Sequence, residues 1–264
     1  MAMIDWESLT TEDLCAPGDA IALLPLAAVE QHGPHLPLGT DAMICDAVID
    51  ATGAWLSDAV PVLRLSTQRI GVSPEHESFP GTLSMEPEIA LGTWGAITSS
   101  VARSGVRKLV LFNTHGGQPG VVDQIAVRSR REQGMLVVRA NIFGLGTPDG
   151  LVDEDELRYG LHGGLVETSL MLVIRPDLVR MEQAQNFQSA DRDIVTDSQG
   201  LSAEGPGIGI GWLAEDLNVA GVTGNAAGAS AKLGQALLNH LGSSLADLLR
   251  DVAEMNWPIG KDQA

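Results

Sequence analysis

The 264-residue sequence is short of cysteine, of aromatic side chains and of basic residues, and each shortage closes a class of function. Two cysteines, Cys15 and Cys45, cannot build a disulfide scaffold and show no CxxC spacing, so reduced thiols and a cytoplasmic location are expected. Aromatic residues make up 4% of the chain, which leaves the core to aliphatic and Ala/Gly packing. Lys and Arg number 16 against 34 Asp and Glu, a formal charge of −18. Phosphate contacts need clustered cations, so neither nucleic acid nor an anionic membrane surface is an expected partner. No apolar run approaches the roughly 18 residues of a membrane-spanning helix. Met1–Asp13, with Asp5, Glu7, Glu12 and Asp13 and no basic cluster, does not read as a signal peptide. There is no G-x-G-x-x-G or G-K-[ST] phosphate loop and no G-x-S-x-G serine elbow.

What is present is an alternation of short apolar runs with helical periodicity. Strands are predicted at Ala20–Pro25, Val60–Leu65, Lys108–Phe112 and Met135–Ala140. Helices are predicted from Asp41 to about Ala59, then over Glu86–Arg103, Gln118–Gln133, Glu167–Ile174 and Ala227–Val252. Such alternation implies βαβ units and a mainly parallel sheet, in one α/β domain spanning 1–264. Two stretches read as irregular: an acidic loop over Gly144–Gly160, and a Gly-rich excursion over Ser189–Gly224 that runs across the surface or into a neighbouring subunit.

The densest polar chemistry follows the first strand, in E-Q-H-G-P-H-L-P-L-G-T-D at 30–41. Glu30 and His32, two apart, project from one side of an extended loop, and Asp41 sits at the entry to a helix. Carboxylate and imidazole together suit Zn²⁺, Mn²⁺ or Fe²⁺. His115, in N-T-H-G-G-Q, follows the third strand, and parallel sheets gather ligands at the carboxyl ends of their strands. His162 and Glu167 lie five apart in H-G-G-L-V-E-T-S, with Glu167 in the first turn of a helix opening near Leu165, where the dipole favours an anion. Glu75-His76 stands in a long loop, ordinarily a solvated position. His240, on the C-terminal helix without a partner at i±3 or i±4, and Cys45 read as structural.

These segments, with G-V-S-P-E-H-E-S-F-P-G-T at 71–82 and a weaker G-V-T-G-N-A-A-G-A-S-A-K-L-G at 221–234, resemble the motif blocks of the creatininase superfamily in order and spacing. The resemblance implies a three-layer α/β/α fold, homo-oligomers that are often hexamers, and two divalent metal ions (Zn, Mn or Fe). It implies Glu30, His32, Asp41, His115 and Glu167 as metal ligands, Asp41 bridging. His162 is implied beside the substrate as proton donor to the leaving nitrogen, and Glu75 and His76 on the substrate side. Glu167 is assigned both a ligand and a catalytic role, and His35 a supporting one. Two departures stand out. Creatininase has a glutamate two residues after its equivalent of His115, where this chain has Gly117. It also closes over its substrate with tryptophans before the E-T-S block, a region that holds none here between Trp94 and Trp212. Creatinine is therefore not the expected substrate.

The implied activity is hydrolysis of a C–N bond in a small amide, cyclic amide or formamide by metal-activated water. Within the family, the alternatives are a mycofactocin-type precursor peptide peptidase and a formamide hydrolase acting on an opened purine-like ring. A non-catalytic metal-binding oligomer is the alternative from another class. Because ligation needs neutral imidazole, activity is expected to fall below about pH 6.5.

Overall fold

The computed structural model describes residues 3–15, 17–197, 201–203 and 208–255. Five strands, β1 (Met3–Asp5), β2 (Ile21–Leu26), β3 (Val62–Arg64), β4 (Lys108–Asn113) and β5 (Leu136–Asn141), form one sheet in the order β1-β3-β2-β4-β5, every neighbouring pair parallel. The central strands β2 and β4 are buried along their whole length, which is why they read as continuous apolar runs rather than as alternations.

Successive side chains leave opposite faces of the sheet and enter two separate cores. Ile21, Leu23, Val110 and Phe112 pack with helices α1 (Thr40–Thr52), α5 (Leu165–Ile174) and α8 (Ala231–Glu254). Ala22, Leu24, Leu109 and Leu111 pack with α2 (Pro87–Arg103) and α3 (Pro119–Gln133) on the other side. The result is the expected α/β/α layering. After β2 the chain goes to one side, to β3, and after β3 it crosses to the other, to β4. The loops leaving β2 and β4 therefore flank the crevice where the strand order reverses, the position at which open α/β sheets bind ligands.

The structure corrects several boundaries. α1 stops at Thr52 rather than near Ala59: Gly53 is a poor helix former, and Trp55 lies half-exposed with no core to hold a further turn. β1, an edge strand of three residues with only partial burial, carries no periodic signal and was not anticipated. The acidic stretch expected to be irregular contains helix α4 (Glu154–Tyr159), capped by Asp153 accepting from Glu156 N at 2.7 Å. The Gly-rich excursion holds α6 (Asp191–Asp197) and α7 (Ala214–Leu217), and β6 (Asn186–Phe187) pairs antiparallel with β7 (Gly224–Asn225) at its edges. Its residues 198–200 and 204–207 lie outside the described residues. Among the described residues no helix is long and apolar enough to cross a membrane.

Helix α8 starts on Ser230, whose hydroxyl accepts from Leu233 N at 3.2 Å, and lies across α5 and α1. At the α5 contact Gly234 faces the Ser169 carbonyl so closely that a methyl group there would overlap it. Gly234→Ala should therefore lower stability by about 1–3 kcal/mol through forced separation of the helices. Gly92→Ala, on the open face of α2 with nothing within 4 Å, should raise it by about 0.5–1 kcal/mol. Urea unfolding of both variants checks the pair; equal effects would refute the packing explanation.

Candidate metal centre

Glu30 lies in the loop after β2, fully buried, and neither carboxylate oxygen accepts a hydrogen bond. Three imidazoles surround its Oε1 instead: His115 Nδ1 at 3.2 Å, His76 Nε2 at 3.5 Å and His162 Nδ1 at 3.7 Å. Asp41, in the first turn of α1, sends Oδ1 to His32 Nε2 at 3.2 Å and Oδ2 to His115 Nδ1 at 3.4 Å. Glu167 Oε2, in the first turn of α5, is 3.9 Å from His32 Nε2 and accepts from Gly163 N at 2.6 Å. The sequence-predicted residues thus converge: Glu30, Asp41 and His115 form one set able to hold a cation, and His32, Asp41 and Glu167 form another that shares Asp41. Glu30 and His32 also group with His162, and Glu30 with Glu75 and His76.

Each imidazole is oriented from behind, as metal-ligating histidines require. His32 Nδ1 donates to the Glu30 carbonyl at 3.1 Å, and His115 Nε2 to the Val72 carbonyl at 3.0 Å, so the opposite nitrogen of each ring faces the carboxylates. His162 Nε2 donates to the Gln31 carbonyl at 2.7 Å. Gln31 Nε2 donates to the Gly221 carbonyl at 2.6 Å and to His76 Nδ1 at 2.8 Å, which puts the His76 proton on Nε2, toward Glu30. The motif around His115 folds on Asn113, whose amide donates to the His115 carbonyl at 2.7 Å and receives Gln118 Nε2 at 2.8 Å.

Two turns with positive φ, Gly33 and Gly163, both press against the buried Val222, and a Cβ on either would collide with it. Val222 thereby wedges the two loops together and sets His32 and His162 with ring centroids 4.2 Å apart. Thr223 N donates to the His162 carbonyl at 2.8 Å, completing the clamp. His35 behaves as a support: its Nε2 lies 2.9 Å from Thr168 Oγ1 and 3.1 Å from the Gly163 carbonyl, and its ring stacks on Phe187. His240 Nε2 donates to the Leu145 carbonyl at 3.1 Å, also a structural contact.

Glu75 and His76 are not solvated: a short helical turn at Pro74–His76 folds them inward, His76 becoming buried. Glu75 Oε1 sits 3.3 Å from His115 Nε2, in the space that a side chain on residue 117 would need. Gly117 is therefore matched to Glu75. Several contributors were not legible beforehand. Gln31 and Val222 act through main-chain and wedge contacts that leave no pattern in the sequence. Glu156, in the supposed acidic loop, accepts from Leu165 N at 2.7 Å and Asn225 N at 2.8 Å, fixing the start of α5 and with it Glu167. Trp212, from the Gly-rich excursion, lines the cleft.

The cleft has a volume of about 790 Å³ and is lined by Glu30, Asp41, Glu75, His76, His115, His162 and Glu167 on its polar side. Burial opposes protonation of His32, but Asp41, Glu167 and Glu30 outweigh it and push its pKa up to about 9. His115, likewise buried, is raised well above the ordinary histidine value by Glu30 and Asp41. Asp41 is lowered: the two imidazoles overcome its desolvation. Burial lowers His76, and it lowers His35 to about 4. Two unpaired oxygens of a fully buried glutamate and one of Asp41, facing histidine nitrogens, fit divalent cations better than they fit each other.

A family model described as Creatininase, creatinine amidohydrolase, matches residues 5–249. The creatinine amidohydrolase of Pseudomonas putida is 31% identical over 190 residues, 66% of this chain and 72% of that enzyme. The mycofactocin precursor peptide peptidase of Mycobacterium tuberculosis is 34% identical over 182 residues, 67% of this chain and 66% of that protein. A solved tryptophan-to-phenylalanine mutant of creatininase superposes with a TM-score of 0.76 at 25% identity, over 95% of this chain and 99% of that one.

The raised imidazoles fix the sign of a pH effect. A histidine whose folded pKa exceeds its unfolded value of about 6.5 stabilises fully below that value and loses its contribution as pH rises through the folded pKa. Metal-free protein should therefore melt at progressively lower temperature from about pH 6.5 to about pH 9. His35 and His76, held neutral by burial, withdraw stability as pH falls below about 6.5. Addition of Zn²⁺ at pH 8 should restore the melting temperature and release protons, measurable by calorimetry in buffers of different ionisation enthalpy. A flat profile, or binding without proton release, would contradict these assignments.

Proposed function

From the premise that this chain belongs to the creatininase family, we propose that it is a binuclear metal-dependent amidohydrolase, cleaving a C–N bond in a small amide, cyclic amide or formamide. The observation that carries the reading is Glu30: a fully buried carboxylate with both oxygens unpaired, between two ligand sets that share Asp41. Glu30, Asp41 and His115 would hold one cation, and His32, Asp41 and Glu167 the other. When bound, the pair supplies Lewis acidity and makes hydroxide accessible near neutral pH. Mixed oxygen and nitrogen donors accept Zn²⁺, Mn²⁺ or Fe²⁺.

The remaining residues bind substrate and move protons. His162, tied through Nε2 to the Gln31 carbonyl, presents its bare Nδ1 to the cleft, where it takes a proton from the attacking water and passes it to the leaving nitrogen. His76 stays neutral through burial and offers its Nε2–H as a fixed donor to a substrate carbonyl. Glu75 beside it accepts an N–H of the scissile group.

A structural metal site is closed by protein, whereas this one opens on a broad cleft, which favours the enzyme over a non-catalytic metal-binding oligomer. The breadth of the cleft and the peptidase among its relatives support a second reading, cleavage of a short peptide. The chain is further read as one cytoplasmic domain in a homo-oligomer, in keeping with free thiols at Cys15 and Cys45.

Metal-reconstituted protein should hydrolyse at least one member of a panel of cyclic ureides, imides, formamides and short peptides. Exhaustive chelation should abolish that turnover. His162→Ala should lower kcat by roughly 10²–10⁴-fold with metal content unchanged. Full turnover after chelation would refute the mechanism, and cleavage confined to peptides would select the second reading.

A further inference from the structure

Beside the metal cleft lies a second cavity of about 360 Å³, and the two share the walls formed by Thr114, Phe143, Leu157, Gly160, Leu161 and Glu167. Its inner lining is aliphatic: Ile44, Ile142, Val166, Leu170, Leu237 and Leu241. Two of its polar residues are already engaged. Thr114 Oγ1 donates to the Asp41 carbonyl at 3.1 Å, and both Glu156 oxygens accept backbone N–H groups. At the junction with the cleft, Phe143 and Leu157 are 59% and 52% exposed, whereas Ile44, Leu170, Leu237 and Leu241 of the inner lining are buried. Large apolar side chains standing open on the wall of a reactive cleft are surface that a ligand can remove from water.

We propose that this chamber is the subsite for an apolar group of the substrate, aliphatic or aromatic and of the size of a leucine or phenylalanine side chain. The proposal rests on the amidohydrolase reading and names the class of amide within it. Glu167 borders both spaces, so a substrate whose scissile C–N bond lies among Glu30, Asp41 and His162 carries its substituent past Glu167 and onto Phe143 and Leu157. Compact polar amides leave the chamber empty and gain nothing from it. Selectivity then comes from area buried in the chamber rather than from polar contacts.

The test uses the metal-loaded full chain and linear acyl hydroxamates from acetyl to hexanoyl, whose hydroxamate end is a ligand for the cations. Titration calorimetry should show affinity rising about four-fold per added methylene, the value for a fully buried CH₂. Leu157→Gln and Phe143→Gln, at positions more than half exposed and so tolerant of polar residues, should each cut the increment below two-fold. Constant affinity along the series, no binding of the hexanoyl member, or an increment unchanged in both variants would overturn the proposal. Parallel assays with the panel of cyclic ureides, imides, formamides and short peptides separate it from the reading beneath it. A hydroxamate increment without turnover of any panel member supports the chamber and refutes the amidohydrolase, whereas turnover with a flat increment does the reverse.

Discussion

Burying a carboxylate costs several kcal/mol unless charge and hydrogen bonds compensate it, and Glu30 has no hydrogen bond to either oxygen. The architecture around it answers that cost. β2 delivers the loop that carries Glu30, α1 places Asp41, β4 ends in the turn holding His115, and α5 opens on Glu167. Each arrives from a different element at the crevice where the strand order reverses, so the fold and the site are one construction. Imidazoles stand close to Glu30 on three sides, and their other nitrogens are tied to backbone carbonyls or to Gln31. Rings held that firmly cannot turn away, which is what a preorganised metal site needs.

The loops are fixed by contacts far from the cation positions. Val222 between Gly33 and Gly163, Gln31 bridging Gly221 and His76, and Glu156 gripping the start of α5 join three distant parts of the chain. Replacing a wedge of this kind would shift ligands without touching them. Glu75 and Gly117 show the same logic in the cleft: the absent side chain at 117 is what admits the carboxylate at 75. The departure from the creatininase pattern at 117 is thus accompanied by a second carboxylate in the same space.

Much of this was legible in the sequence because it is written in contiguous segments. The buried strands read as apolar runs, and α2 and α3 fell within a residue of their expected limits. Glu30, His32 and Asp41 share twelve residues, so their convergence needed only one loop. What stayed hidden depends on tertiary context. β1 is a three-residue edge that only pairing with β3 defines, and α4 looked like a charged loop because its capping residue and its buried Glu156 are both acids. For His76 the isolated Glu-His pair reads as solvated surface, and only the family resemblance set it on the substrate side, where the Pro74 turn folds it inward.

The central claim is that Asp41 joins two cation sites around a buried Glu30. Metal content per chain, measured by mass spectrometry after equilibrium dialysis against Zn²⁺ or Mn²⁺, tests it most directly. The account predicts about two ions per chain in the native protein and the loss of both in Asp41→Asn. A single ion per chain in the native protein, or two retained in Asp41→Asn, would contradict it.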